Sequence, residues 1–323
     1  MVSESKNISD KWLVVVNPNA GSRKGEKDWP RISELLIQNA FSFEPIFTEN
    51  RNHAINLTAE KIDEGFRKII VVGGDGTLNE VVNGIFQQQS CKPDEIIVGM
   101  IPVGTGNDWG RMYKIPKKHP KAIKVIKKDH RFTQDVGHII YSDEDGEHER
   151  YFINVSGMGY DALVAQKANR LKDRGRGGKF SYLINIFTGL YQYKYTHFNI
   201  VVDGKEVFNG RVLSMNLGIC KYNGGGLMQV PNAIPDDGML DITIIKATSK
   251  LRIFQHIASL YDGSFIKLRF VNTHRGKECK IISRPQGSVF LEADGESLGH
   301  SPLLFSVKHK ALSFIIPKPE MAN

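Results

Sequence analysis

KIIVVGGDGTLNEVVNG, Lys68 to Gly84, is the stretch that decides the fold of this chain. Ile69 to Val72 is an unbroken apolar run, the pattern of a parallel strand buried on both faces. Gly73, Gly74 and Gly76 follow at once, where only glycine turns so tightly and lets a ligand touch the backbone. Leu78, Val81, Val82, Ile85 and Phe86 then recur at helical spacing and predict a helix starting near Thr77. A strand, a glycine turn and a helix N-terminus gather free amide N–H groups and a positive dipole end at one point, which is an arrangement for phosphate. Thr77 with Glu80 also spells a capping box, so both side chains have an alternative task in finishing the helix. Asp75 has one as an ordinary turn residue. The spacing matches neither the Gly-Lys-Ser/Thr of a Walker A loop nor the dinucleotide GxGxxG.

Outward from this stretch, strands and helices alternate. Trp12 to Val16 reads as a buried strand, followed by the turn NPNAGSRKG, Asn17 to Gly25. Asp28 is placed to cap a helix carrying Ile32, Leu35 and Leu36 on one face. Phe43 to Thr48 is a second strand and His53 to Glu64 a second helix, with Gly65 set to end it. After the organising strand and its helix, Ile96 to Ile101 is a further strand ending in PVGTGND, Pro102 to Asp108. This order implies a parallel sheet covered by helices, with ligands at the carboxyl ends of the strands. The loops Asn17 to Gly25, Gly73 to Thr77 and Gly104 to Asp108 all fall at such ends. Pro116 to Lys128 reads as a basic helix with Ala122, Ile123 and Ile126 inward and a solvated outer face.

The texture changes near Gln134. Short runs rich in β-branched and aromatic residues follow: Tyr151 to Val155, Phe198 to Val202, Arg211 to Leu217, Leu240 to Ile245, Lys280 to Ile282 and Val289 to Leu291. Ser142 to Gly146 and Asp203-Gly204 look like hairpin turns. This half reads as an antiparallel β-sandwich with helices inserted at Asp161 to Leu171, Phe180 to Tyr191 and Leu251 to Tyr261. Leu303 to Val307 and Leu312 to Ile316 are late strands. The expectation is therefore an α/β nucleotide-binding domain over residues 1–134, joined by the C-terminal segment 304–323, and an all-β domain over 135–303.

The length of 323 residues suits two modest cores, and 41% hydrophobic with 24% charged residues is ordinary for a globular chain. Three scattered cysteines, Cys91, Cys220 and Cys279, argue against a disulfide framework or a zinc site. The first residues lack an apolar h-region, no stretch nears the length of a membrane span, and a cytoplasmic location is the expectation. A net charge of +8 suits an acidic partner, whether nucleotide, nucleic acid or anionic membrane. Nucleic acid is the weakest of these, because the basic residues lack interleaved aromatics. There is no Ser-His-Asp pattern or HExxH, and the ten histidines show no metal-ligand spacing. Acids beside glycine turns do recur: Asp75, Asp108, Asp135, Asp236 and Asp237, then Glu292, Asp294 and Glu296 in LEADGES. Phosphoryl transfer needs such parts, a backbone cradle for phosphates, carboxylates for Mg²⁺ and a carboxylate to take a hydroxyl proton.

VNPNAGS (Val16 to Ser22), GGDGTLNEVVNG (Gly73 to Gly84), PVGTGND (Pro102 to Asp108), PDDG (Pro235 to Gly238) and ADGE (Ala293 to Glu296) occur in this order. Together they resemble the diacylglycerol kinase catalytic-domain family, the bacterial soluble lipid kinases related to sphingosine and ceramide kinases, over nearly the whole chain. GGDGT alone is shared with NAD kinases and phosphofructokinase-like enzymes. The resemblance implies a doubly wound nucleotide-binding domain, a β-sandwich lipid domain, and ATP and a lipid hydroxyl meeting between them. It implies that Gly73, Gly74, Asp75, Gly76, Thr77, Leu78 and Asn79 wrap the ATP phosphates. Asn17, Thr48, Gly104, Thr105, Asn107 and Asp108 complete the pocket. Asp75 matches the carboxylate near the catalytic Mg²⁺, with Asp108 and Asp135 in support. A structural Mg²⁺ maps to Asp237 with the carbonyls of Ile234 and Met239. Glu296 matches the proton acceptor, with Asp294 as the alternate. Ala20 departs from the serine or threonine commoner in the first turn and leaves backbone contacts unaffected.

The implied activity is ATP- and Mg²⁺-dependent phosphorylation of a lipid, diacylglycerol first, with phosphatidylglycerol, a polyprenol, a sphingoid base or NAD as rival acceptors. A non-catalytic nucleotide- or lipid-sensing module is the rival of another kind. Lys172, Arg174, Arg176 and Lys179, ahead of the apolar segment Phe180 to Tyr193, suggest peripheral membrane contact. Asn223 to Leu227 is a second flexible rim. A homodimer is left open.

Overall fold

The computed structural model describes residues 8–173, 189–190 and 193–319. They form two compact units: the chain up to Asp135 together with Lys310 onward, and Val136–His309.

In the first unit, β1 (Trp12–Val16), β2 (Phe43–Phe47), β3 (Lys68–Gly73) and β4 (Ile97–Pro102) are parallel in the order β4-β3-β1-β2. The end of β14 (Glu296–Ile315) extends the sheet beyond β4, pairing Ser313 with Ile97 and Phe314 with Val98. Leu13 to Val16 and Ile69 to Val72 are fully buried, as unbroken apolar runs require. Val14, Val16, Ile70, Val72 and Ile101 pack with Ile32, Leu35 and Leu36 of α1 (Ala20–Gln38) and with Ala122, Ile123 and Ile126 of α5 (His119–Lys128). Between them lie α2 (His53–Asp63), α3 (Asp75–Gln87) and the short α4 (Asp108–Met112).

Two local expectations are corrected here. Asp28 is not a cap: it lies inside α1, beyond the left-handed residues Gly21, Ser22 and Arg23 that kink the element near its start, and its Oδ2 faces His119 Nε2 at 2.8 Å. Thr77 and Glu80 form no capping box, because α3 starts earlier, at Asp75, and both side chains have distant partners. Thr77 Oγ1 accepts from Asn17 Nδ2 at 2.9 Å, and Glu80 Oε2 accepts from the Ala54 amide of α2 at 3.1 Å.

The second unit is antiparallel. β7 (Val155–Gly159) pairs with β9 (Lys205–Gly218) on one side and β13 (Phe290–Ala293) on the other. β10 (Leu240–Lys246) and β11 (Val271–Gly276) continue outward from β9. β8 (Thr196–Val202) joins β9 to β12 (Glu278–Arg284), and β12 pairs in turn with β14. β5 (Arg131–Asp143) and β6 (Gly146–Phe152) form the first expected hairpin, and Asp203-Gly204 turns the second. The core gathers Phe152, Phe198, Ile200, Met215, Leu217, Ile242, Ile281 and Phe305. α6 (Tyr160–Asp173) packs on β7 and β13.

The single run expected over Tyr151 to Val155 is instead two strands, broken at Ile153 and Asn154, whose amides bond to Asp294. The helix expected over Leu251 to Tyr261 is two pieces, Lys250–His256 and Ser259–Asp262. The two late strands are parts of the one strand β14. Most of the expected helix Phe180 to Tyr191 and most of the basic stretch before it lie outside the described residues; Gly189 and Leu190 are helical. Among the described residues, no helix is long and apolar enough to cross a membrane.

Candidate active site

In the first unit, three loops leave the carboxyl ends of β1, β3 and β4 and touch one another. Asn17 follows β1 and donates to Thr77 in the first turn of α3. The Gly73 carbonyl accepts from Val103 N at 2.9 Å and Gly104 N at 3.1 Å, tying the second loop to the third. The closeness explains the glycines: a Cβ on Gly104 would sit 2.5 Å from the Gly74 Cα, and one on Gly21 would sit 2.1 Å from the Val103 carbonyl. The amides of Gly76 and Thr77, in the first turn of α3, open onto this edge.

The side chains there sort into two groups. Asp75 Oδ1 accepts from the Trp109 amide at 3.0 Å, and Asp108 Oδ1 lies 3.4 Å from Arg111 Nε. Their other oxygens converge: a Cβ placed on Gly106 would lie 3.0 Å from Asp75 Oδ2 and 3.4 Å from Asp108 Oδ2. Two carboxylates from different loops facing one glycine suit a hard divalent cation such as Mg²⁺. Arg111, one helical turn beyond Asp108, is a neighbour that the motif reading passed over; its spacing from Asp108 was the available signal. Thr105 is exposed at the loop tip, and Asn107 Nδ2 donates to the Gly104 carbonyl at 2.6 Å. The second group faces inward. Leu78 and Asn79 are fully buried, Asn79 Oδ1 accepting from Asn83, and Thr48 is buried beside β1, its amide on the Val16 carbonyl. Asp135 is also fully buried, accepting from Lys310 N at 2.7 Å where the chain re-enters this unit. For these four, structure is the visible task.

In the second unit, the turn between β13 and β14 carries Asp294 and Glu296. Glu296 is half-buried at the start of β14. Asp294 is 6% exposed and accepts from three successive amides, Ile153 at 2.9 Å, Asn154 at 3.0 Å and Val155 at 3.2 Å. The carboxylate, expected as the alternate proton acceptor, anchors the turn to the β6–β7 junction. At the expected ligand set Ile234, Asp237 and Met239, the structure shows the contacts of the Asp237 carboxylate. Asp237 Oδ1 accepts from the Met239 amide at 3.1 Å, and Oδ2 pairs with Arg275, which also holds the buried Asp241 at 2.9 Å. Among the described residues, no three His, Cys, Asp or Glu side chains gather as a metal cluster.

Sequence reasoning also gave Glu292 and Asp161 no role. Glu292 is buried, at 1% exposure, and Asp161 is half-buried. Burial pushes the Asp161 carboxyl above its ordinary range against hydrogen bonds from Ser214, Asn216 and Gln229. Burial likewise pushes Glu292 up to about 8, with Asp161 and Asp294 adding repulsion, while bonds from Gly295 and Asn223 pull the other way.

The two units together have the fold shared by NAD kinases and diacylglycerol kinases. An NAD kinase from Archaeoglobus fulgidus, solved in complex with ATP, superposes with a TM-score of 0.51 at 13% identity, over 94% of this chain and 93% of that one. A diacylglycerol kinase structure from Bacillus anthracis reaches 0.73 at 25% identity, over 95% and 97%. Residues 11–139 match the diacylglycerol kinase catalytic domain, and residues 154–316 match the YegS C-terminal NAD kinase beta sandwich-like domain. A diacylglycerol kinase of Mycobacterium tuberculosis is 31% identical over 266 residues, 82% of each chain. The chain belongs to the diacylglycerol kinase family.

Proposed function

We propose that this protein is an ATP- and Mg²⁺-dependent lipid kinase that converts diacylglycerol to phosphatidic acid. One observation carries the proposal: glycine turns from three parallel strands meet at one sheet edge, with a helix N-terminus and two converging carboxylates beside them. The family relationship supports the acceptor class.

In this scheme the amides around Gly74, Gly76, Thr77 and Gly104 orient the phosphates of ATP, and the Thr105 hydroxyl is a further donor. Asp75 and Asp108 would hold Mg²⁺, which when bound offsets charge on the transferring phosphoryl group. Glu296 accepts the proton of the lipid hydroxyl. The lipid hydroxyl oxygen bonds to the γ-phosphorus as the bond to the β,γ-bridging oxygen breaks, and ADP leaves with that electron pair. Positioning supplies most of the rate, since the protein does little covalent chemistry in such transfers. The acceptor comes from a membrane surface, where the net charge of +8 favours peripheral contact with anionic lipid.

The test is a transfer assay with γ-labelled ATP against diacylglycerol, phosphatidylglycerol, a polyprenol, a sphingoid base and NAD. Label should move into the organic phase with diacylglycerol. Label that stays aqueous, or that passes to NAD, overturns the proposal.

A further inference from the structure

Glu292, Gly157 and Asn216 are direct cross-strand neighbours on β13, β7 and β9, so their side-chain positions form one row on one face of the sheet. Gly157 leaves a gap in the middle of that row. A Cβ there would lie 2.6 Å from Glu292 Oε1, 3.0 Å from Asn216 Oδ1 and 3.1 Å from Asp161 Cβ. Glu292 is 1% exposed and Asn216 is 2% exposed. Asn216 Nδ2 donates to Asp161 at 2.8 Å, which leaves Oδ1 as an acceptor with no donor against it.

Two buried acceptor oxygens turned toward one gap call for a proton between them. Glu292 is the acid whose carboxyl oxygen lies against the gap, Asp161 presenting its Cβ there. Its remaining contacts reach two loops. Oε2 accepts from the Gly295 amide at 2.9 Å, inside the Asp294–Glu296 turn, and Oε1 accepts from Asn223 Nδ2 at 2.8 Å, at the start of the glycine-rich rim Asn223 to Leu227. The Glu292 carbonyl accepts from Ser156 Oγ at 2.7 Å, fixing the strand beneath.

We propose that Glu292 is a positioning residue for the turn that carries Glu296: its uncharged carboxyl links the Gly295 amide, the Asn223 side chain and the Asn216 carbonyl oxygen. The proposal rests on Glu296 acting on the lipid hydroxyl. With Asp294 pinned to the β6–β7 junction, the turn is held from both sides, and the residue between Asp294 and Glu296 is the one Glu292 grips. Ionisation of Glu292 would place a further negative charge beside Asp161 and Asp294 and leave Asn216 Oδ1 without its donor, so the grip loosens at alkaline pH.

The test compares wild type, Glu292→Gln and Glu292→Ala in lipid phosphorylation from about pH 6 to about pH 9.5. Wild-type kcat should fall as pH rises through about 8, and Glu292→Gln should lack that limb. Glu292→Ala should lower kcat about tenfold or more at neutral pH, with the KM for ATP within about twofold of wild type. Identical alkaline limbs in wild type and Glu292→Gln, or an undiminished kcat in Glu292→Ala, overturn the proposal. Hydrogen exchange at the Gly295 amide separates this from failure of the kinase reading. Exchange should speed up about tenfold or more in Glu292→Ala and much less in Glu292→Gln. An unchanged Gly295 rate in Glu292→Ala refutes the grip even in a protein that phosphorylates nothing.

Discussion

Glu292→Gln should flatten the pH dependence of folding stability. In the unfolded chain this glutamate titrates near 4.5, and in the folded protein burial holds it near about 8. As pH rises between these values, the unfolded chain releases a proton that the folded chain retains, so stability is lost across that window and the loss is complete above it. The interval, at about 1.4 kcal/mol per tenfold in proton affinity, amounts to about 5 kcal/mol. From about pH 5.5 to about pH 8.5 the wild type should lose about 3 kcal/mol relative to Glu292→Gln, since glutamine cannot ionise and other titrating groups cancel in the difference. Urea unfolding followed by circular dichroism is the assay. Tryptophan fluorescence is unsuited, because Trp12, Trp29 and Trp109 all lie in the unit without Glu292. A wild-type-minus-variant difference that is the same at both pH values refutes the reasoning, since Glu292 would then bind its proton no more tightly folded than unfolded.

Asp75→Ala should lower kcat about a thousandfold by removing one of the two converging carboxylates, while the lost bond to the Trp109 amide costs only about 1 kcal/mol; kinetics and a thermal melt on one preparation check both. Gly104→Ala should raise the KM for ATP about tenfold and destabilise by about 1–3 kcal/mol, because its Cβ would meet the Gly74 Cα at 2.5 Å; an unchanged KM would show that the contact between these loops does not shape the nucleotide site. Arg275→Met should cost about 3 kcal/mol by leaving the buried Asp241 without its cation, measured as a shift in denaturation midpoint. Millimolar Mg²⁺ added to nucleotide-free wild type should leave its melting temperature within about a degree; a rise of several degrees that Asp237→Ala abolishes would make Asp237 an ion ligand.

What could be read in advance followed from periodicity. The runs at β1, β3 and β4 are buried on both faces, so their apolar character is continuous and a sequence window suffices to find them. A loop after each such strand must then lie at one sheet edge, which brings Asn17, Gly74 and Gly104 together without any knowledge of contacts. Capping was misread because local spacing does not reveal a remote competitor: Glu80 had a donor three residues back in sequence, yet bonds to Ala54 on another helix. The ion pair of Asp237 with Arg275 was hidden for the same reason, since Arg275 becomes its neighbour only after β10 and β11 pair. The row from Glu292 through Gly157 to Asn216 was beyond reach, because strand register is a property of distant segments.

LEADGES shows most sharply how one residue type divides its labour. Glu292, Asp294 and Glu296 alternate along seven residues, and by composition each is an equal candidate for proton acceptor. Their surroundings make them unequal. Glu292 is sealed in an apolar and carboxylate-rich setting that favours the neutral acid, which gives it a proton to share and makes it a poor general base at neutral pH. Asp294 has both oxygens committed to three amides, so any proton it took would cost the turn its anchor. Glu296, beyond the turn, is the member of the set whose side chain is half-buried rather than buried. The two buried acids thus define the place of the third. Moving the base one step along the strand, as in Glu296→Gln with Ser297→Glu, should therefore restore little activity, because β-strand alternation would carry the carboxylate to the opposite face of the sheet. Recovery of more than about a tenth of wild-type kcat in that double variant would show that proximity to the turn, and not its fixed orientation, is what the reaction needs.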